Sequence, residues 1–357
     1  MKNKYIAFQV CLWCLAIIIV VSCRTSTQEG TGGRIDLLGK DRLVFMDSIG
    51  ASRAIVRDEV SGFFEKIGIT DMLIQMKRPF VDSLDREKLL VEYKAYLKTE
   101  VTDFTKQERD FCQGILSEIA VELAAIHPDL FPDSLRLIKS HGNHYGSGAY
   151  YTRENVIVIP KGMLFEANEE GFYETMLHEL FHIYSRYHPV KREALYGLIG
   201  FRSVGQPEDL QMDKVLRDRV LLNPDGVNCA YAITVQEEGT SVFAIPLIVA
   251  RARGYEEDKA AFFDYLQFDL YPIRAPYSRL VRVVCRNDGS SRLKIEEIGD
   301  FYGQIQRNTD YIIHPDEILA DNFVFMVKSV KDSRFLGRFD EGGVELIERV
   351  LREVVRE

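Results

Sequence analysis

Cysteine is sparse in this chain of 357 residues, and no basic tract runs through it. Of its six cysteines, Cys11, Cys14 and Cys23 crowd the N-terminus, which leaves Cys112, Cys229 and Cys285 scattered among apolar neighbours. Three thiols allow at most one disulfide and imply no disulfide framework. None of these three stands in a C-x-x-C spacing, so buried thiols that act as small apolar groups are expected. Acidic residues outnumber basic ones, 54 to 45, for a formal charge of −9. An acidic globule without a basic stripe excludes the usual electrostatic route to nucleic acid. No internal repeat is visible, which excludes solenoid and propeller architectures. What remains is ordinary: 46% hydrophobic and 28% charged residues, enough chain for one sizeable domain or two smaller ones.

The N-terminus stands apart. Lys2 and Lys4 precede an apolar run from Tyr5 to Val21, and Ser22-Cys23 follows. A charged head, a short apolar stretch and small residues describe an export signal. Val20-Val21-Ser22-Cys23 resembles the lipobox of bacterial lipoproteins, in which the cysteine is lipidated and becomes the first residue. That resemblance implies a signal peptide over 1–22, a lipid on Cys23, and a chain anchored to a membrane of the cell envelope on the exported side. An uncleaved anchor is the alternative, since the run is at the lower edge of what spans a bilayer. Removal of Lys2 and Lys4 with the signal would move the charge from −9 to −11. The glycine- and serine-containing stretch over 23–40 reads as a flexible tether.

From 41 to 134 the patterns are helical: Arg53–Ile67 is amphipathic, Leu89–Val101 is periodic, and Lys106–Ala125 carries an apolar stripe through Phe111, Ile115, Ile119 and Leu123. Leu135–Ile138 and the β-branched run Asn155–Ile159 are strand candidates, separated by a loop rich in glycine and histidine that holds His141 and His144. The remainder reads as mixed and mostly helical, closing with an amphipathic helix from Glu341. The fold class expected is α+β, mostly helical, with a small mixed sheet.

His178-Glu179-Leu180-Phe181-His182 is the most informative run. On a helix, H-E-x-x-H sets two imidazoles one turn apart on one face, where both can grip one Zn²⁺, with the glutamate beside them as a base for water. The surroundings favour a helix: Phe172, Met176, Leu180 and Ile183 recur at steps of three and four, glutamates crowd the start, Arg186 sits near the end, and Pro189 stops the pattern. The expected chemistry is hydrolysis by a zinc-activated water, with Glu179 as general base.

A catalytic zinc usually keeps three protein ligands, and the third is open. His188 extends the run to H-E-L-F-H-I-Y-S-R-Y-H, which resembles the metzincin pattern, but Ser185 stands where that family has the glycine that breaks the helix. Glu237-Glu238 precedes Gly239 and reads more simply as surface charge. Glu317 lies in His314-Pro315-Asp316-Glu317-Ile318-Leu319-Ala320-Asp321, where Pro315 suits a first helical position and the acids suit the first turn.

Glu317-Ile-Leu-Ala320-Asp321 resembles the E-x-x-A-D element of gluzincin metallopeptidases. The resemblance rests on two short elements, and the gap between them exceeds that of thermolysin-like enzymes. It implies a zincin-like catalytic region over 135–357, zinc held by His178, His182 and Glu317, and Asp321 orienting a ligand histidine, with His188 the alternative third ligand. It also implies an edge strand upstream, around Tyr150-Tyr151-Thr152 and Asn155–Ile159, on which an extended peptide substrate pairs. Tyr311 and His314 are the nearest donors to a developing oxyanion, with His141 and His144 further candidates. The expectation is a lipid-anchored zinc metallopeptidase; the alternative is a surface-anchored binding or scaffold protein on a peptidase-like fold that no longer catalyses.

Overall fold

The computed structural model describes residues 31–259, 261–276 and 278–356; the leader, the proposed lipid site Cys23 and the first part of the tether lie outside these residues. Among the described residues no helix is long and apolar enough to cross a membrane.

The class is α+β, with two sheets. The first is a mixed sheet of β1 (Thr31–Leu37), β2 (Lys40–Met46), β3 (Val101–Thr102), β4 (Leu135–Ser140), β5 (Tyr151–Arg153) and β6 (Val156–Pro160). Its order is β1-β2-β4-β6-β5, with β3 on β4, so β6 is internal and β5 is an edge. β2, β4 and β6 run parallel, and β5 returns antiparallel to β6. The second sheet holds β7 (Arg202–Ser203), β8 (Leu210–Gln211), β9 (Val220–Leu221), β10 (Tyr231–Glu237), β11 (Thr240–Ala250), β12 (Leu266–Arg274) and β13 (Val281–Val283). β11 is its spine, paired with β10, β12 and β9.

The helices are α1 (Ser48–Ala54), α2 (Phe63–Lys66), α3 (Ile69–Gln75), α4 (Arg86–Thr99), α5 (Lys106–Ile126), α6 (Glu169–Tyr187), α7 (Pro189–Leu198), α8 (Lys214–Arg217), α9 (Gly299–Ile305), α10 (Pro315–Lys331) and α11 (Glu341–Val354). One apolar core joins the first sheet to α5, α6, α7, α10 and α11 through Leu137, Ile157, Leu116, Phe181, Leu195, Phe323 and Ile347. A second cluster, under α1, α3 and α4, packs on the opposite side of the same sheet through Ile138, Val156 and Val158. Successive residues of β4 and β6 thus serve opposite faces, as a strand buried on both sides must.

Three expectations change. Residues 31–40 are a hairpin rather than tether: Leu37 pairs with Lys40 across Leu38 (φ 60°) and Gly39 (φ 75°), two left-handed residues that close a two-residue turn matching strand twist. The amphipathic stretch Arg53–Ile67 is broken. α1 ends at Ala54, and the Asp58 carboxylate accepts from the Phe63 and Phe64 amides, which starts α2 afresh. The largest difference is the second sheet, in a region expected to be mostly helical. From Ala244 to Ala250 every residue of β11 is buried, and a continuous apolar run carries no alternation to separate strand from helix. Pro246 falls between the β10 and β9 pairings, a position where a strand tolerates a residue without an N–H.

Candidate metal centre

α6 buries Phe172, Met176, Leu177, Leu180, Phe181 and Ile183 against the core, as their helical spacing requires. That rotation sends His178, Glu179 and His182 toward α10, which packs alongside. α10 is started by His314, whose Nδ1 accepts from the Asp316 amide, and Pro315 occupies its first position. The next two residues and Asp321 then face the histidines.

His178 Nε2 lies 3.0 Å from Glu317 Oε2, and His182 Nε2 lies 3.3 Å from the same oxygen. One donor atom from each of the three residues falls within 4.8 Å of the others. The opposite ring nitrogens are held: His178 Nδ1 donates to Asp321 Oδ1 at 2.9 Å, and His182 Nδ1 donates to Asp316 Oδ2 at 2.7 Å. Each bond fixes its ring so that Nε2 points to Glu317. Asp316 is itself held, since Ser185 Oγ and the Tyr196 hydroxyl each donate to its Oδ1 at 2.7 Å. Asn223 Nδ2 donates to Glu317 Oε1 at 2.5 Å, which leaves Oε2 for the imidazoles. Thr309 donates to Asp321 Oδ2.

The donor set fits a zinc ion. Bonds of about 2.0–2.1 Å in a tetrahedron set neighbouring ligand atoms roughly 3.3 Å apart, close to the spacings of Glu317 Oε2 from the two rings. Two imidazole nitrogens with one carboxylate suit zinc better than calcium or magnesium, which take oxygen. The side chains also leave a gap in their own hydrogen bonding: His182 Nε2 and Glu179 Oε2 are buried and have no hydrogen-bond partner. Buried polar atoms without partners are costly, and an ion and a water would engage both.

Charge tells the same story. Glu179, Asp225, Asp316, Glu317 and Asp321 surround only two imidazoles. Burial pushes both histidine pKa values down, yet the carboxylates outweigh it: hydrogen bonds to Asp321 and Glu317 raise His178 to about 10, and Glu317 and Asp225 raise His182 well above the ordinary value. The carboxylates around the two rings thus favour a positive charge at this point. Burial would lift Glu317, but His182 and His178 hold it well below the usual carboxylate range. Glu179 is pushed up by burial and by the nearby Asp225 carboxylate, toward the neutral range in which a carboxylate can take and return a proton.

Other residues singled out by sequence lie elsewhere. His188 caps α6, stacks on Tyr184 at 4.4 Å and directs Nδ1 to the Tyr184 carbonyl, away from the triad. The helix continues through Ser185, so the turn that would carry His188 back never forms. Glu237 pairs with Arg292, and Glu238 (φ 49°) occupies the hairpin turn after β10. His314, expected as an oxyanion donor, is instead buried as a helix cap, with Nε2 on the Asn228 carbonyl at 3.0 Å. His141 contacts Lys161, and His144 contacts the Tyr151 hydroxyl, both beside a separate small cavity. Tyr311 does line the cleft, its ring 6.0 Å from that of His178 and nearly parallel.

Two residues of the site, Asp316 and Asp225, escape sequence reading, and a third, Tyr150, is marked there only as part of a substrate-pairing strand. Asp316 seemed only to suit a helix start, and nothing local tells of His182, 134 positions away. Asp225 sits in Asn223-Pro-Asp-Gly226, which reads as a turn. Its carboxylate nevertheless lies with donor atoms of Glu179 and His182 inside the same 4.8 Å limit. Tyr150 lines the cleft, and its hydroxyl, buried and without a hydrogen-bond partner, is pushed up by burial and by Glu179.

The triad opens into a cleft of about 590 Å³ lined by Tyr150, Glu179, Asp225, Phe263, Tyr311 and Phe325. A larger groove of about 870 Å³, over Tyr173, Lys328 and Phe335, is lined by Glu118, Glu169, Glu170 and Asp332, but among the described residues these form no convergent group of metal-ligand atoms, so chemistry rather than size selects the cleft. Comparison with protein-family models, with curated proteins and with solved structures gives no match for this chain.

Proposed function

We propose that this chain is a zinc-dependent metallopeptidase, with a zincin-like catalytic region of gluzincin arrangement, exported and tethered to a membrane through a lipid on Cys23. The convergence of His178 Nε2, His182 Nε2 and Glu317 Oε2 beside the partnerless Glu179 Oε2 carries the reading. The membrane tether rests on the leader sequence alone.

His178, His182 and Glu317 would hold the ion. Zinc bound there supplies Lewis acidity, which polarises the carbonyl under attack and makes a water acidic enough to ionise near neutral pH. The protein does the rest. Glu179 accepts the proton of the attacking water at Oε2, a position that its buried, acid-rich setting suits, and passes it to the leaving amine. Asp321 and Asp316 keep the ring tautomers, and Asn223 keeps the Glu317 carboxylate turned. Tyr150 and Tyr311 are the hydroxyls in the cleft that can donate to a developing oxyanion.

The test is hydrolysis of casein and of a panel of small esters by the purified protein. Peptide-bond cleavage that stops with a zinc chelator and returns with added zinc is expected. Ester cleavage without peptide cleavage would make the protein a hydrolase of another class.

A further inference from the structure

An extended substrate on the edge strand β5 needs the outward backbone groups of that strand, and here its central amide is taken. The Thr152 amide and hydroxyl both donate to Asp225 Oδ1, at 2.5 and 2.6 Å. Arg186 donates to the Glu154 carbonyl at 2.8 Å, to Thr152 Oγ1 at 2.8 Å and to the Asp225 carbonyl at 3.2 Å. The turn carrying Asp225 is clamped at both ends. Asn223 is bonded to Glu317, and the Asn228 carbonyl to His314; a Cβ on Gly226 would meet His314 Nδ1 at 2.3 Å. Asp225 borders both the cleft and a separate cavity of about 270 Å³ behind it, so it stands in the partition between them. The cleft therefore ends at a wall, and the wall presents a carboxylate.

We infer that this wall makes the enzyme an aminopeptidase, with Asp225 receiving the free α-ammonium group of the substrate. The inference rests on the metallopeptidase reading. A chain that stops against a carboxylate stops with its cationic end; a C-terminal carboxylate would be repelled by Asp225 and Glu179 alike. Lengths agree. An ammonium–carboxylate contact spans about 2.8 Å, and amide nitrogen to carbonyl carbon within one residue spans about 2.5 Å. A carbonyl so placed lies within about 5.3 Å of Asp225, and Asp225 is itself within 4.8 Å of donor atoms of Glu179 and His182, so that carbonyl can stand beside them. One residue fits between the wall and the reacting carbonyl. The bond broken is the first peptide bond: water adds hydroxyl to that carbonyl, its proton passes through Glu179 to the leaving amine, and one free amino acid departs.

The experiment pairs peptides identical except for an N-terminal acetyl group, incubated with the zinc-loaded full-length protein and followed by mass spectrometry. Free peptides should lose single residues from the N-terminus, and acetylation should lower kcat/KM at least about 100-fold. Asp225→Asn keeps an acceptor for Thr152 and should lose most of that preference; Asp225→Ala should lose it entirely. A readout without turnover is calorimetric binding of leucinamide against N-acetylleucinamide to the Glu179→Gln protein, where the free amine should bind at least about tenfold more tightly. Equal cleavage of both peptides, or internal cuts, would overturn the inference and leave the peptidase reading standing. Zinc-loaded protein that cuts neither peptide would overturn the peptidase reading itself.

Discussion

Two buried polar clusters in this molecule use similar side chains and end differently. Between α3, α4 and the loop after β4, Gln75 donates to Asp71 at 2.7 Å, the Tyr93 hydroxyl donates to Gln75 at 2.5 Å, and the Leu222 amide donates to Asp71 at 2.9 Å. Gln75 also donates to the Tyr145 hydroxyl. Arg153 beside them spreads its guanidinium over the Phe63 ring at 3.9 Å. Asp71, Gln75 and Tyr93 close on one another and join β9 to α3, while Arg153 Nε and Nη1 are buried without a hydrogen-bond partner. The cluster between α6 and α10 is as deeply buried, yet it converges on a point: Glu179 Oε2 has no hydrogen-bond partner, and His182 Nε2 has only the Glu317 carboxylate, 3.3 Å away. In the first cluster the carboxylate and amide are satisfied within the fold; in the second, ligand atoms of three side chains are aimed at one point.

The sharpest way to break this comparison is Glu179→Gln. If the partnerless carboxylate is a base, the variant keeps zinc and loses roughly 10²–10⁴-fold in peptide hydrolysis, read as kcat/KM beside metal content. Full activity would contradict the assignment. Asp316→Asn tests the support of the site. The amide can present its NH₂ to His182 and misdirect the ring, so zinc affinity should fall about 10–100-fold in a chelator competition, with activity recovered at high zinc.

The closed cluster makes a prediction of its own. Burial raises the Asp71 pKa from 3.8 to about 6, above its unfolded value. The neutral acid therefore stabilises the fold fully below about pH 4, and this contribution is lost as pH rises through about 6. Asp71→Asn removes the dependence. Between pH 4 and 7 the stability of the variant relative to the natural protein should rise by about 2 kcal/mol, measured by urea unfolding at each pH. A constant difference would show that Asp71 has the same pKa folded and unfolded, and so that burial does not raise it. The smallest effect is expected at His188→Ala: unchanged zinc content, with stability altered by less than about 1 kcal/mol.

What could be read in the sequence was what is local. His178 and His182 lie one helical turn apart, so spacing alone sets their common face and puts Glu179 beside it. Glu317 and Asp321 are one turn apart, and His178 meets both. Asp316 and Asp225 were illegible because their roles depend on which distant elements pack against them. Asp316 needs α6 alongside α10; Asp225 needs β5 beside the turn before β10. The second sheet was missed for a different reason: β11 is buried without alternation over Ala244–Ala250, so no period distinguishes it. Ser185 shows how a departure can inform. Where a glycine would turn the chain toward His188, serine keeps α6 helical and donates instead to Asp316.

The central claim is that the cluster between α6 and α10 exists to hold a metal. Elemental analysis of the purified protein, dialysed without chelator, tests it most directly. The account predicts about one zinc per chain, lost in Glu317→Ala and retained in His188→Ala. No zinc, even after incubation with excess metal, would contradict it and leave a surface-anchored binding protein as the better description.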